Sequence, residues 1–117
     1  MGRRVFRAEP IQPGERGPVS VDFGPAMVLA GEKVPSDNSV TVPSIRERES
    51  GADFTAIMLV PGTTSVSNNV ATFQVDAPGS DNADYVARVV ARTTLARPEE
   101  ADVIIPVRSR PRKVFRP

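Results

Sequence analysis

"DYVARVVARTT" (residues 84–94) is the stretch on which the fold turns. Tyr85, Ala87, Val89 and Ala91 fall on one face, and Arg88 and Arg92 lie opposite beside Val86 and Val90. A period of two over this length specifies a β-strand with one dry face. The same period recurs on both sides of it. Downstream, "ADVIIPVR" (101–108) turns Val103, Ile105 and Val107 inward. Pro106 cannot donate to a ladder, so this is an edge strand or one with an unpaired N–H side at that point.

Upstream, "VATFQVDA" (70–77) sends Ala71, Phe73 and Val75 one way, and "SVSNN" (65–69) is a short strand running into an Asn turn. "VSVDF" (19–23) places Val19, Val21 and Phe23 on one face, and "NSVTVP" (38–43) points Val40 and Val42 inward. "FTAIMLV" (54–60) is a nearly continuous apolar run, expected as a central strand covered on both sides. "SIRERESGAD" (44–53) is expected as a polar loop with room for one helical turn. The sum is about seven short strands and no amphipathic helix. Twelve Pro and eight Gly agree, because they break helices and make turns. The expected class is all-β, an antiparallel β-sandwich.

Tyr85, the only Tyr, opens its strand directly after the acidic turn "SDNAD" (80–84). In immunoglobulin-like sandwiches a Tyr so placed packs its ring inward and returns its hydroxyl to the upstream turn, the tyrosine corner. Tyr85 is therefore expected as a structural residue, with Ala87 two positions on, where antibody domains carry Cys.

The ends differ from the body. Residues 1–18 carry a net +2, residues 108–117 a net +5, and residues 19–107 a net −6. Val5-Phe6-Arg7 is echoed by Val114-Phe115-Arg116. This division predicts an extended N-terminal arm (1–18), a sandwich domain (19–108) and a basic C-terminal arm (109–117). Arms of this kind suit protein docking, in which Phe fills a pocket and Arg meets acid. The candidate interface residues are Arg3, Arg4, Phe6, Arg7, Arg110, Arg112, Lys113, Phe115 and Arg116. The acidic surface around Glu99, Glu100 and Asp102 is a candidate counterpart for them.

Chemistry is constrained by what the sequence lacks. With no His and no Cys, the usual neutral-pH base and the thiolate metal ligands are missing. No phosphate loop or catalytic triad pattern is present, so neither an enzyme nor a cofactor is expected. Arg46, Glu47, Arg48 and Glu49 read as a solvated face. Asp76, Asp81, Asn82 and Asp84 share one loop and could offer oxygen ligands to calcium, but these are also ordinary turn residues. No apolar run is long enough to span a membrane, and no leader is expected. Nucleic acid is not expected as the primary partner, because the acidic body opposes the basic tails.

Asp22, Phe23, Leu29, Gly31, Glu32 and Val34, followed by Tyr85, Thr93, Thr94, Arg97, Glu100 and Asp102, form a pattern of turns and apolar positions over about residues 19–108. In this the chain resembles a family of small immunoglobulin-like virion proteins of tailed bacteriophages, the fibre–tail adaptor-like family. The family commonly has Gly before the position of Arg97, where this chain has Ala96. The resemblance implies an Ig-like sandwich, a structural role in the tail, neck or fibre-attachment region, and other virion proteins as partners in a symmetric assembly. It also implies location in the virion, after assembly in a host cytoplasm. A capsid decoration protein is the alternative of the same class, and a nucleic-acid-binding protein with basic tails is that of another.

Overall fold

Alternation becomes strand wherever one face can be buried, and seven strands form among the described residues. The computed structural model describes residues 4–79 and 82–109. The strands are β1 (Arg4–Arg7), β2 (Arg16–Asp22), β3 (Val40–Glu47), β4 (Ser65–Ser67), β5 (Val70–Asp76), β6 (Ala83–Arg92) and β7 (Pro98–Val107). They make a four-stranded sheet in the order β1-β7-β6-β3 and a three-stranded sheet in the order β2-β5-β4. All neighbours are antiparallel except β1 and β7, which run parallel. The expected all-β class is present as two facing sheets.

The core lies between their inner faces. Tyr85, Ala87, Val89 and Ala91 of β6 are fully buried, as are Ala101, Val103, Ile105 and Val107 of β7 and Ala71, Phe73 and Val75 of β5. Val19, Val21 and Phe23 meet them from the β2 side. Alanine at 71, 87, 91 and 101 leaves space in this layer for Phe23, Phe73 and Tyr85, as close packing requires.

Two segments differ from expectation. Residues 54–60 are not a central strand: Thr55–Met58 is a short helix, α1. Phe54 and Met58 share its buried side, while Ile57 is 62% exposed. A short apolar run fits a strand and a helical turn equally well, and here local bonding decides. Asp53 Oδ1 accepts the Thr55 N–H at 2.9 Å, and Pro61-Gly62 ends the run. The polar segment 44–47 is not loop either. β3 continues through it after a bulge between Thr41 and Ser44, because Ile45 faces inward and is fully buried.

Pro106 resolves the alternative posed by its missing donor. β7 is an interior strand, paired with β6 along its whole length and with β1 beyond. The parallel ladder closes with the Ala8 N–H donating to the Ile104 carbonyl at 2.8 Å. Pro10 and Pro106, neither of which has an N–H, then interrupt it. Pairing resumes one residue later, where the Ile11 N–H donates to the Pro106 carbonyl and the Arg108 N–H to the Ile11 carbonyl. Ile11 is buried against the core. The described part of the segment read as an arm, residues 4–18, is therefore extended but not free-standing, and β2 begins within it.

The hydroxyl bond of a tyrosine corner is not made among the described residues. Tyr85 is buried and its ring meets Phe54 edge-on, with centroids 5.1 Å apart, yet its hydroxyl has no hydrogen-bond partner among the described residues. Burial, and secondarily the charge of Glu47, pushes its pKa up. A buried orphan hydroxyl is a cost that Phe does not carry. Tyr85→Phe should therefore raise stability by about 1 kcal/mol. A denaturant midpoint shifted down by a similar amount would show that the hydroxyl is bonded after all.

The turn between β6 and β7 stores a second cost. Ala96 sits at φ 59, a left-handed conformation that glycine adopts freely. The turn is held by the Thr93 N–H donating to the Arg97 carbonyl and the Ala96 N–H to the Thr93 carbonyl. Ala96→Gly should stabilise by about 0.5–1 kcal/mol, the relief of strain less the added freedom of the unfolded chain. Equilibrium urea unfolding of the two proteins measures it.

Candidate docking surface

β1 is the outermost strand of the larger sheet. Its register sets Val5 beside Asp102, Phe6 beside Val103 and Arg7 beside Ile104. Phe6 turns inward and packs partly buried on the core, while Arg4 and Arg7 are exposed and Val5 is 66% exposed. Because the Ala8 N–H faces β7, strand alternation turns the backbone groups of Phe6 the same way. The N–H and C=O groups of Val5 and Arg7 then face outward, with no strand beyond them among the described residues.

The remaining edges are obstructed. β3 carries Pro43 and the bulge, and residues 53–55 cover it: the Phe54 N–H donates to the Ile45 carbonyl at 2.8 Å, and the Ile45 N–H to Thr55 Oγ1 at 2.9 Å. β4 is three residues long. β2 carries Pro18. A groove of about 530 Å³ opens between Arg7–Ile11 and the β2 residues Arg16, Gly17, Pro18 and Ser20, next to the end of β1.

Most arginines of the body face an acid, while Arg46 and Arg92 donate to the Gly51 and Ala96 carbonyls. Arg16 holds Asp76 at 2.7 Å and keeps its carboxyl below the usual range. Arg108 holds Asp84 at 2.6 Å, with Arg48 at 3.5 Å on the other oxygen. Arg88 faces Glu100 at 3.7 Å and Arg97 faces Glu99 at 3.3 Å. Asp102 also has a partner. Glu99 and Glu100 are thus engaged by arginines of the sandwich itself. Arg4 and Arg7 have no ion-pair partner among the described residues.

Of the residues proposed from sequence, the structure places Arg4, Phe6 and Arg7 together on β1. Arg3, Arg110, Arg112, Lys113, Phe115 and Arg116 lie outside the described residues. So does Asp81 of the 76–84 loop, where Asp76 and Asp84 are each tied to arginine. No group of three or more acidic side chains able to hold a metal occurs among the described residues.

Sequence reading gave Glu32 and Arg97 only as positions of the resemblance pattern and missed their pairing. Glu32 is buried: its Oε1 accepts from Arg97 Nη2 and its Oε2 from Arg97 Nε, both at 2.7 Å. The Thr93 hydroxyl donates to Oε2, also at 2.7 Å. Arg97 above all holds this carboxyl down to about 2, against an ordinary value of 4.5, although burial opposes the shift. A depressed carboxyl in a buried setting is a mark of active sites. Here every donor around it is structural, and the group joins residues 23–39 to the β6–β7 turn. No signal in the sequence pairs Glu32 with Arg97 across that separation.

The folded-state pKa of Glu32 lies below its unfolded value, so its contribution is complete above pH 4.5 and disappears as pH falls through about 2. Glu32→Gln should lower stability at pH 7 and flatten the acid limb between those values. Chemical unfolding measured at intervals from pH 7 to 2 checks both; parallel curves for the two proteins would contradict the assignment.

Comparison of the chain with protein-family models, with curated proteins and with solved structures finds no match to it.

Proposed function

We propose that this chain is a non-enzymatic structural component of a bacteriophage particle, an immunoglobulin-like adaptor of the tail, neck or fibre-attachment region. The observation that carries the docking role is the position of the basic N-terminal segment. It forms the outermost strand of the larger sheet and leaves Arg4, Val5 and Arg7 exposed on an edge that no other described strand covers. A rigid two-sheet body with one open, charged edge is suited to holding neighbours in register.

The strand order supports the immunoglobulin-like part of this reading. Lettered in that manner, β2, β4 and β5 take the places of strands B, D and E, and β3, β6 and β7 those of C, F and G. The first strand then lies beside G. Tyr85 near the start of the F equivalent fits this lettering in position, though not in its hydroxyl bond. The virion setting rests on the resemblance in residues 19–108, several of whose positions form the Glu32–Arg97 junction.

The test is composition. Particles purified from a phage encoding this chain should contain it in a fixed, symmetry-related copy number by quantitative mass spectrometry, and labelled antibody should place it at the tail, neck or fibre base. Label spread over the shell would favour capsid decoration. Absence from washed particles would overturn the proposal.

A further inference from the structure

We infer that the outer edge of β1 accepts an extended, acid-bearing segment of a partner protein as an added strand. The inference deepens the docking role just proposed and rests on it. Strand addition needs free main-chain donors and acceptors in line, and the outward groups of Val5 and Arg7 supply them. The flanking Arg4 and Arg7 have no ion-pair partner among the described residues, whereas Arg16, Arg48, Arg88, Arg97 and Arg108 each face a carboxylate and Arg46 and Arg92 donate to the Gly51 and Ala96 carbonyls. Two open cations beside an open edge select carboxylates on the incoming strand.

The same charges argue against other occupants. A second copy's β1 would bring Arg4 and Arg7 against Arg4 and Arg7. The C-terminal stretch 109–117 carries four Arg or Lys and no acid, so it meets the same repulsion. The neighbouring groove offers space alongside but no net charge: Arg7 and Arg16 line it together with Glu9 and Glu15, the latter's Oε1 accepting the Gln12 N–H, so the selection for acid rests on Arg4 and Arg7 at the edge itself. Val5, exposed on the outer face of the sheet, gives an apolar side chain on the incoming strand one neighbour to pack against.

The test uses the full chain, isotopically labelled, with amide exchange followed by NMR. The probes are a ten-residue peptide alternating threonine with glutamate, the same peptide with lysine in place of glutamate, and a ten-nucleotide single-stranded DNA. The acidic peptide should slow exchange at Val5 and Arg7 at least fivefold and leave Phe6 and Ala8, which already face β7, unchanged. Val5→Pro removes an outward N–H without touching the ladder to β7, and Arg7→Glu reverses a charge; each should weaken peptide binding at least fivefold. Because wild-type protection is itself diagnostic, the result does not depend on Val5→Pro folding. No protection by the acidic peptide, equal protection by the lysine peptide, or protection by DNA alone would overturn the inference. If the chain is present in particles yet no peptide protects Val5 and Arg7, edge addition fails and the adaptor reading stands. If the peptide binds and the chain is absent from particles, the adaptor reading fails and the edge stands.

Discussion

Glu32 is a charge placed inside a β-sandwich, and the passage of the chain from the smaller sheet to the larger depends on it. Residues 23–39 leave β2 and return as β3 with only two short 3₁₀ turns on the way. Phe23, Ala26 and Val34 anchor this passage in the core. Polar bonds fix the rest of it: the Phe23 N–H donates to the Asn69 carbonyl, the Val34 N–H to Asn69 Oδ1, the Thr94 N–H to the Lys33 carbonyl and the Lys33 N–H to Thr94 Oγ1. The two-pronged Glu32–Arg97 pair lies at the centre of these ties. Such a pair is weak evidence of net stabilisation, since burying the Glu32 charge costs much of what its attraction to the partly exposed Arg97 returns. Its stronger effect is on uniqueness. Removing Arg97 would strand the buried Glu32 carboxylate without its cation, so the β6–β7 turn and the passage have one mutual arrangement that satisfies it.

Legibility in the sequence followed the source of each element's stability. β5, β6 and β7 were readable from period alone, because their inner faces are buried and their outer faces carry Gln74, Arg88 and Asp102. The 54–60 run was not, because Phe54 and Met58 answer equally to a strand and to a helical turn, and the Asp53–Thr55 bond breaks the tie. Residues 44–47 hid Ile45 among Arg and Glu, where one inward side chain outweighs several solvated ones. Of the candidate interface, the residue types at 4, 6 and 7 were legible, but their pairing was not. A four-residue parallel strand owes its existence to β7, and no local pattern announces that.

The positions that carry the phage resemblance turn out to be architectural wherever the structure describes their contacts. Asp22 Oδ1 accepts the Gly24 N–H at 2.8 Å, Phe23 is in the core, and Gly31 sits at φ 75 just before Glu32. Thr93, Thr94 and Arg97 complete the junction, and Glu100 pairs with Arg88. Such a pattern marks how a sandwich closes at one end. It says little about what the sandwich holds, which is why the docking reading rests on residues outside the pattern.

β1 combines two properties that usually oppose each other. Exposed edges invite uncontrolled pairing, and proteins restrain them by shortness, charge, proline or a bulge. Here β3 has proline, a bulge and a covering segment, β2 has proline, and β4 is short. β1 is restrained by shortness and by two arginines. Unlike proline or a bulge, charge does not close an edge; it discriminates among the strands that approach. Like-charged strands, including those of identical copies, are repelled while the main-chain groups stay available to an oppositely charged one. An edge guarded only by charge can therefore stay monomeric in isolation and still be addressable by a chosen partner, and that is the combination an assembly component requires before it meets its neighbours.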